Sequence, residues 1–379
     1  MPIELQDPQD GVDIQNKRPV LAILTIEDDI QLFRGNRSNY ADLIRIGREH
    51  GFLVYVLTVK QLKLKRKLLE GYTYEEQTDT WSLQQFPFPD LIYNRIPLRE
   101  DEFLPNVRQK IAACMRSPRV HLFNPKFFNK WSLFKWLRQS RITRPYIPTT
   151  QRMLTREGLA NMLRKHTFLY LKPVSGKAGR GIMTIKVHPE RSLPFMLKIQ
   201  ADKKSLSYNC GSIQKLWVRV KKECGGERYI AQQGIMLAAY HDRRFDLRAL
   251  VQKNQRGLWD LSGLGARVAG SRSITTHVPR GGSIEDPEKL LVSAFGQDEA
   301  RKLLVKARST TLLIAKQIER GSGYTLAEMS MDLGVDQHGN LWFFEANAKP
   351  MKFDEPDIRK LSLDRIFHYG RYLIRTKTR

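Results

Sequence analysis

Ala327-Glu-Met-Ser-Met-Asp332 and Leu341-Trp-Phe-Phe-Glu-Ala-Asn347 are two short apolar segments separated by the turn-forming residues Asp336-Gln-His-Gly-Asn340. The pattern predicts two β-strands joined by a hairpin, in which successive side chains point to opposite faces. Glu345 and Asn347 therefore share one face, and the turn returns Asp332 to within about one register step of Glu345. Two carboxylates and an amide oxygen suit Mg²⁺, which takes oxygen ligands and usually shares substrate phosphates. The hairpin thus predicts a magnesium site, although a pair of exposed polar strand ends accounts for the same residues.

A glycine-rich segment, Lys172-Pro-Val-Ser-Gly-Lys-Ala-Gly-Arg-Gly181, precedes this hairpin and joins two further predicted strands. Gly176, Gly179 and Gly181 allow the backbone to turn its N–H groups toward an anion. Lys172, at the end of the preceding strand, can reach a phosphate as a point charge. The segment matches neither the GxxxxGK[ST] nor the GxGxxG pattern. Alone it is equally a plain hairpin, but with the downstream carboxylates it favours phosphate binding.

The charge balance favours an anionic partner. Sixty-four Lys and Arg against 39 Asp and Glu leave a net charge of +25, which suits nucleic acid, an acidic polymer or assembly, or phosphates in a site. The basic residues are spread over 60–67, 130–144 and 359–379, without the regularly interleaved aromatics of a base-stacking platform. Nucleic-acid binding is therefore not favoured, and a solvated basic surface explains the same excess.

Length and composition indicate a globular protein of two or three packed units, with 379 residues and 41% hydrophobic content. No window approaches the run of apolar residues that a transmembrane helix needs, and Met1 to Pro8 does not read as a signal peptide. Cys114, Cys210 and Cys224 lack CxxC spacing, so no disulfide or zinc framework is predicted. We expect buried, incidental thiols in a reducing interior.

The N-terminal part predicts a βαβ unit with a parallel sheet. Its elements are a strand at Val20–Ile26, a helix from Ser38 as N-cap to His50, a strand at Phe52–Thr58, a strand at Asp90–Asn94 and a helix from about Asp101 to Met115. Ligands of open α/β sheets bind beyond the carboxyl ends of the strands. The loop Phe33–Arg37 and the pair Asn94–Arg95 are therefore candidates for substrate contact, or equally a turn and a surface charge.

The rest of the chain predicts mainly antiparallel sheet. The segments are a basic helix at Lys130–Leu137, strands at Phe168–Leu171, Ile182–Val187 and Tyr229–Ile235, an antiparallel pair at Asp246–Val251 and Leu258–Arg267, and a long helix at Asp298–Arg320. The stretch from His188 to Arg228 is charged and poorly patterned, with a possible strand at Leu216–Val220.

The order of these features resembles the ATP-grasp superfamily from about residue 128 to 352. The matching residues are Lys130, Lys172 with its glycine-rich loop, the strand Gln232–Ile235, Asp246-Leu-Arg248, Arg267, and Asp332 followed by Glu345-Ala-Asn347. Over nearly the whole chain, Phe33–Tyr40, Gln233–Leu237 and Leu341–Asn347 look more narrowly like the YheC/YheD endospore coat-associated proteins of spore-forming bacteria.

The resemblance implies an α/β fold (α+β ATP-grasp) with an N-terminal parallel α/β pre-ATP-grasp domain followed by a two-lobed ATP-grasp domain. The implied boundaries are a loose leader at 1–18, the N-terminal domain at 19–127, a small lobe with the glycine-rich loop at 128–235, a large lobe with the magnesium site at 236–355, and a basic tail at 356–379.

The resemblance also implies roles for individual residues. Lys130 and Lys172 would neutralise the α- and β-phosphates of ATP, under a loop containing Ser175, Gly176, Gly179 and Gly181. The backbone of an edge strand, Gln233, Gly234 and Ile235, would meet adenine, Asp246 would bind ribose or orient a neighbouring base, and His277 would lie near the phosphates. Asp332, Glu345 and Asn347 would hold one or two Mg²⁺ ions, and Arg267 and Arg248 would stabilise the transferring phosphoryl group and an acyl-phosphate.

Two positions depart from the family pattern. Gln233 stands where Glu is common, and a backbone contact tolerates that change. His277 stands where related enzymes usually place Asn; a neutral imidazole can donate or accept there, or can mark a weakened site.

The implied function is an ATP- and Mg²⁺-dependent ligase that joins a carboxylate to an amine or thiol through an acyl-phosphate, in association with the bacterial endospore coat. The alternative is a catalytically weak ATP-grasp scaffold serving as a basic structural protein of the spore layers, and a third reading is direct phosphoryl transfer to a hydroxyl. The expected partners are ATP, the two unidentified substrates and anionic spore-coat components. The expected location is the mother-cell cytoplasm, the endospore coat or both.

Overall fold

The computed structural model describes residues 18–175, 180–201, 204–270, 276, 281–351, 353 and 355–377. The chain forms two compact units, and the first contains the described residues up to Leu122 together with those from Leu373 onward. The second unit runs from Phe123 to Tyr372. No helix in the described ranges combines the length and the apolar composition needed to cross a bilayer.

The elements are numbered along the chain. The described strands are β1 Val20–Thr25, β2 Glu27–Asp28, β3 Leu32–Phe33, β4 Leu53–Thr58, β5 Leu68–Glu75, β6 Thr80–Pro87, β7 Leu91–Asn94, β8 His121–Phe123, β9 Thr150–Arg152, β10 Phe168–Pro173, β11 Met183–Val187, β12 Phe195–Ala201, β13 Lys204–Cys210, β14 Tyr229–Gln233, β15 Ala239–Tyr240, β16 Arg243–Lys253, β17 Trp259–Val268, β18 Ser283–Glu285, β19 Glu328–Val335 and β20 Leu341–Asn347. The described α-helices are α1 Arg37–Glu49, α2 Arg99–Phe103, α3 Pro105–Arg116, α4 Lys130–Arg138, α5 Arg156–Lys165, α6 Ile213–Cys224, α7 Pro287–Phe295, α8 Gln297–Ser322 and α9 Pro356–Lys377.

The first unit is built on a six-stranded sheet in the order β6-β5-β4-β1-β7-β8. β1 pairs in parallel with both β4 and β7, which confirms the predicted βαβ organisation. β1 is buried along its whole length, as expected for a central parallel strand whose two faces are both covered. The strands β5 and β6 extend the sheet as an antiparallel hairpin, which the sequence analysis did not predict.

Two predicted helix boundaries in this unit are wrong. Helix α1 begins at Arg37, and Asn36 rather than Ser38 caps it, because the Asn36 side chain accepts a hydrogen bond from the first-turn backbone. The single helix predicted from Asp101 to Met115 is two helices, α2 and α3. Pro105 has no N–H to continue α2, and it occupies the first turn of α3.

The loops that were predicted to contact a substrate are held in place by local contacts. The Tyr40 hydroxyl donates to the backbone carbonyl of Arg95 at 3.1 Å. Gly35 has φ of +124°, and a Cβ there would collide with the Tyr40 ring, so only glycine fits. Arg34 pairs with Asp101 at 3.1 Å. The loops are thus ordered at the carboxyl ends of β1 and β7, and their contact with substrate stays a prediction.

The second unit contains a small-lobe sheet, in the order β13-β12-β11-β10-β14-β9, whose neighbouring strands are antiparallel. The strand predicted at 216–220 is wrong, because these residues lie in α6. Leu216, Val220 and Cys224 are buried at the four-residue spacing of a helix. Ser212 caps its start and Gly225, in the left-handed conformation, ends it.

The large-lobe sheet has the order β18-β17-β16-β19-β20, with β15 beside β16. Its antiparallel β16–β17 pair and the long helix α8 confirm the sequence predictions. In β19 the odd-numbered residues from Met329 to Val335 are apolar and pack in the core that α4, α7 and α8 share. The even-numbered residues, Asp332 among them, therefore lie on the opposite face, which we call the polar face.

Helix α9 covers part of that polar face. Arg365 donates to Ser262 Oγ at 2.8 Å and to Asp260 at 2.7 Å, which fixes the helix on β17. Gly263 allows the close approach, because a Cβ at that position would collide with Ile358. Residues 356–377 of the predicted basic tail form this helix. Its first turns lie beside the residues predicted to form the site.

Asn124 ties the start of the second unit to the strands of the site. It is fully buried and has φ of 54°. Its Oδ1 accepts from Ala327 N–H at 2.8 Å, and its Nδ2 donates to the carbonyls of Glu328, at 2.8 Å, and Ala348. The amide thereby links the beginning of β19 to the residue that follows β20.

We expect Asn124→Ala to lower the free energy of unfolding, measured in urea, by about 2–4 kcal/mol, because buried backbone groups lose their partners. Asn124→Gly suits the positive φ but also lacks the amide, so it should lose nearly as much. Full stability of the glycine variant would contradict the role of the amide.

Candidate functional site

The candidate site lies on the polar face of the large-lobe sheet, where four neighbouring strands place residues in register. Asp332 of β19 is directly opposite Arg248 on one side and Glu345 on the other, which confirms the predicted closeness of the two carboxylates. Asn347 lies opposite Ser330, one row along. A register shift after Asp332 marks a bulge in the β19–β20 ladder at this point.

Arg267 is the centre of a buried ion cluster on this face. Its guanidinium donates from Nε and Nη2 to the two carboxylate oxygens of Asp246, at 3.0 and 2.8 Å. The same Nη2 lies 2.9 Å from Asp332 Oδ2. Burial disfavours the guanidinium charge, but Asp246 and Asp332 more than offset that effect and raise the pKa of Arg267. Arg267 therefore stays charged and holds both carboxylates in place.

Lys130 supplies a second internal counter-charge. It is the first residue of α4, which Asn129 caps by accepting from Ser132 N–H at 3.2 Å. The Lys130 side chain is buried, and its amine forms an ion pair with Glu345 Oε1. Both carboxylates predicted to bind metal are thus neutralised by cations from other elements of the chain.

Lys172 enters the same electrostatic environment from the small-lobe sheet. Its amine donates to Gln232 Oε1 at 2.6 Å and lies over the rings of Tyr170 and Phe344. Burial, and after it the positive charge of Lys130, lower the pKa of Lys172 to about 8, although Glu345, Asp332 and Asp246 act in the opposite direction. Part of the Lys172 population is therefore neutral near pH 8, and an added anion would favour the charged form.

The last residue of the glycine-rich loop, Gly181, is held in place by a close contact with Tyr229. Gly181 has φ of +69°, its carbonyl accepts from the Tyr229 hydroxyl at 3.0 Å, and a Cβ would lie 2.7 Å from that hydroxyl. Ser175 is exposed at the start of the loop. Gly176, Gly179 and, further along the chain, His277 lie outside the described residues.

The strand predicted to bind adenine is not at the edge of its sheet, so the predicted edge position is wrong. β14 lies between β10 and β9. The N–H of Gln233 donates to Thr149 O at 2.8 Å, and the N–H of Gly234 donates to Phe168 O at 2.7 Å. Ile235 is buried just beyond the strand. Adenine contact through residues 233–235 stays a prediction, without the unpaired edge that was its physical reason.

The roles of two residues in the site, Gln232 and Thr276, were not predicted from the sequence. Gln232 binds Lys172 and also donates to Thr150 Oγ1 at 2.9 Å. Because side chains alternate along a strand, Gln232 and Gln233 face opposite sides of the sheet, and this alternation could have identified Gln232 as the residue on the side of Lys172. Thr276 donates from Oγ1 to Asp246 Oδ2 at 2.6 Å, and no local sequence pattern indicates this contact.

The cysteines do not supply a nucleophile. All three are buried, as the sequence analysis predicted. Burial raises the pKa of Cys114 and of Cys224 to about 11, and it also raises the pKa of Cys210. A raised pKa keeps each sulfur as a thiol at neutral pH, which is the less reactive form.

The donor atoms of the site fit Mg²⁺ rather than a softer metal. Asp332, Glu345 and Asn347 present only oxygen donors from adjacent strands. Within the described ranges no group of three or more His, Cys, Asp or Glu side chains is arranged to hold a metal. Two carboxylates and one amide therefore need further oxygen ligands, which nucleotide phosphates and water provide.

A family model described as a YheC/D-like ATP-grasp matches residues 119–373, more than half of the chain. The chain belongs to the YheC/D-like ATP-grasp family. It is 25% identical over 366 residues to the endospore coat-associated protein YheD of Bacillus subtilis, covering 94% of this chain and 79% of that protein. It is 22% identical over 326 residues to YheC of the same organism, covering 85% and 87%.

Solved structures show the same fold. The ATP-grasp ligase PsnB complexed with a minimal precursor aligns with a TM-score of 0.52 and 13% identity, over 93% of this chain and 100% of that one. The VanG D-Ala:D-Ser ligase from Enterococcus faecalis aligns with a TM-score of 0.52 and 12% identity, over 94% and 100%. The predicted ATP-grasp fold is thereby confirmed for this YheC/D-like chain.

The lowered pKa of Lys172 predicts a specific pH dependence of stability. Between about pH 8 and pH 10.5 the unfolded state keeps a Lys172 proton that the folded state has lost, so the free energy of unfolding rises with pH in this window. Relative to Lys172→Met, the parent should gain on the order of 2–3 kcal/mol from pH 7 to pH 10.5 in urea unfolding. A constant difference between the two proteins across this range would contradict the lowered pKa.

The buried ion cluster predicts a large cost for removing Arg267. Arg267→Met leaves Asp246 and Asp332 without their counter-ion, and the free energy of unfolding should fall by about 3–5 kcal/mol. Arg267→Lys keeps the charge but not the two-pronged geometry, so it should lose less. Calorimetric melting of the three proteins tests this order, and equal stability of the Met variant and the parent would refute it.

Proposed function

We propose that this protein is an ATP- and Mg²⁺-dependent ligase that joins a carboxylate to an amine or thiol through an acyl-phosphate. The observation that carries the proposal is the convergence of Lys130 and Lys172, from separate elements, on the Asp332–Glu345 pair. Lysines that lie close to each other need anions nearby, and a triphosphate with its metal would supply them. The YheC/D-like ATP-grasp fold supports ATP as that ligand.

The chain's own residues would divide the binding of ATP between them. Lys172 would bind phosphate as a fully charged amine, since the phosphate charge restores the proton that burial disfavours. Lys130 would exchange the Glu345 carboxylate for a phosphate oxygen. Asp246, oriented by Arg267 and Thr276, would bind ribose or orient a neighbouring base.

Asp332, Glu345 and Asn347 would hold one or two Mg²⁺ ions, which would neutralise charge on the phosphates during transfer. Arg267 would fix Asp332 at the geometry that the ion requires, because it binds that carboxylate through one oxygen. Arg248, half-buried opposite Asp332, lies on the same face and would stabilise negative charge on the transferred phosphoryl group.

The chemistry needs no side-chain nucleophile. A substrate carboxylate oxygen forms a bond to the γ-phosphorus, and the bond to the ADP oxygen breaks with its electron pair. An amine or thiol then attacks the acyl carbon, and phosphate departs with the electron pair of the C–O bond, while the proton of the attacking group passes to phosphate or solvent. The three buried thiols are consistent with a reaction between bound substrates alone.

The names of the relatives suggest where the protein acts. YheD and YheC of Bacillus subtilis are described as endospore coat-associated. We propose the mother-cell cytoplasm or the endospore coat as the location of this protein. The net charge of +25 favours anionic components of that coat as partners.

One observation favours a second candidate function. Asp332 and Glu345 already have internal counter-ions in Arg267 and Lys130, so these two carboxylates are neutralised without metal or nucleotide. A catalytically weak ATP-grasp scaffold, acting as a basic structural protein of the spore layers, is the alternative that this pairing supports.

Calorimetric titration of ATP, with and without Mg²⁺, separates the two candidates. A ligase should bind ATP with micromolar affinity that depends on Mg²⁺, and Lys172→Met should weaken binding at least tenfold because a charged contact to phosphate is lost. The exposed Lys302→Met is the matched control and should bind as the parent does. Absence of binding in both conditions would refute the ligase and favour the scaffold.

Glu345→Gln tests the metal assignment. The amide removes a negative ligand but keeps the size of the side chain, so Mg²⁺-dependent release of phosphate from ATP should fall at least a hundredfold. Glu299→Gln, on the exposed surface of α8, is the control and should keep the parent rate. Parent-like turnover in Glu345→Gln would remove Glu345 from the metal site.

A further inference from the structure

Glu355 is carried onto the polar face by the start of helix α9. The helix is fixed on β17 by Arg365, and Ile358 lies over Gly263. One turn earlier, Glu355 Oε1 lies 3.0 Å from the position that a Cβ on Gly265 would take. Glycine at 265 thus leaves room for a carboxylate against the strand.

Arg248 lies across the β16–β17 ladder from Gly265, against which this carboxylate packs. The Cβ position of Gly265 is 4.0 Å from the Arg248 backbone carbonyl. The Arg248 guanidinium is held over the ring of Phe353, 5.4 Å from its centroid. Arg248 and Glu355 are both half-exposed, so solvent and small ligands reach them.

Both residues adjoin Gly265, and yet no ion pair joins their opposite charges. Among the residues that the structure describes, neither has any ion-pair partner. The other ionised groups in the same rows of the sheet, Asp332 and Glu345, are both paired. Arg248 and Glu355 therefore differ from the rest of the polar face in having charge left to offer a ligand.

We infer that Glu355 and Arg248 form a subsite for a small zwitterion, an amino-acid-type molecule whose ammonium group binds Glu355 and whose carboxylate binds Arg248. Each contact is a charge-assisted hydrogen bond, which is stronger than one between neutral groups. The stacking of Arg248 on Phe353 orients its planar fork for a carboxylate in advance. Neither a simple amine nor a simple carboxylate can satisfy both groups.

This inference deepens the proposed function and rests on it for one point only, the role of the zwitterion. Arg248 lies opposite Asp332, so a molecule bound between Arg248 and Glu355 is adjacent to the carboxylates proposed to hold Mg²⁺. The zwitterion is thereby placed as the acceptor: its ammonium group releases one proton to solvent, and the neutral amine then attacks the acyl-phosphate. In this assignment Arg248 binds the acceptor carboxylate instead of the transferred phosphoryl group. Glu355 is a specificity residue, because it selects acceptors that carry an ammonium group.

Calorimetric titration of the full chain with glycine, L-alanine, D-alanine, L-glutamate and L-lysine tests the subsite, each with and without a Mg²⁺ complex of a non-hydrolysable ATP analogue. At least one of the five should bind, and methylamine and acetate should each bind at least tenfold more weakly than it does. Glu355→Gln and Arg248→Gln should each weaken zwitterion binding at least tenfold. Failure of all five probes to bind, or parent-like affinity in Glu355→Gln, overturns the inference.

Asp357→Asn is the matched control, because Asp357 is an exposed carboxylate two residues further along α9. It should bind the zwitterion as the parent does; an equal loss in this variant would show a general effect of charge at the helix start and would overturn the assignment to Glu355. Glu355→Gln should keep the parent affinity for ATP, which shows that the variant is folded. Zwitterion binding without ATP binding would refute the ligase but keep the subsite, whereas ATP binding alone would refute only the subsite.

Discussion

The buried contacts of Arg267 with Asp246 and Asp332 are the interaction on which the site depends. Two carboxylates on neighbouring strands repel each other in an interior of low dielectric, and a polar face with so many ionisable groups would be unstable without a counter-ion between them. Arg267 supplies that counter-ion in a planar geometry that matches both carboxylates. The large-lobe sheet can then bring charged residues from neighbouring strands into one surface while its other face packs on helices.

The same principle explains the balance of charge around the candidate site. Lys130 compensates Glu345, whereas Lys172 is held by a neutral amide, Gln232, and has a lowered pKa. The site therefore contains one cation in a stable pair and one in an environment that penalises its charge. An anion that approaches Lys172 relieves that penalty, so the unfavourable state of this lysine is itself a source of affinity for phosphate.

Helix α9 links the architecture of the lobe to its chemistry. It lies on the polar face because glycines on β17 permit close contact, and the buried Arg365 fixes its position through Ser262 and Asp260. The stretch after β20 thus returns toward the site, bringing Phe353 to Arg248 and Glu355 to Gly265. The residues just before the predicted basic tail thereby contribute an acidic and an aromatic side chain to the polar face.

Local sequence was sufficient to predict the strands and helices that arise from a pattern within a few residues. The apolar runs of β1 and β4, the alternation in β19 and β20 and the long amphipathic α8 follow from periodicity, and the spacing of Asp332, Glu345 and Asn347 was sufficient to place them together. Features that depend on partners distant along the chain could be seen only in the folded structure. β14 is interior because β9 comes to lie beside it, α6 is a helix because its apolar stripe finds a core, and Arg248 and Glu355 become neighbours only when α9 folds over β17. The physical reason is that local propensity and alternation act within a few residues, whereas strand order and charge pairing are chosen by the free energy of the whole packed unit.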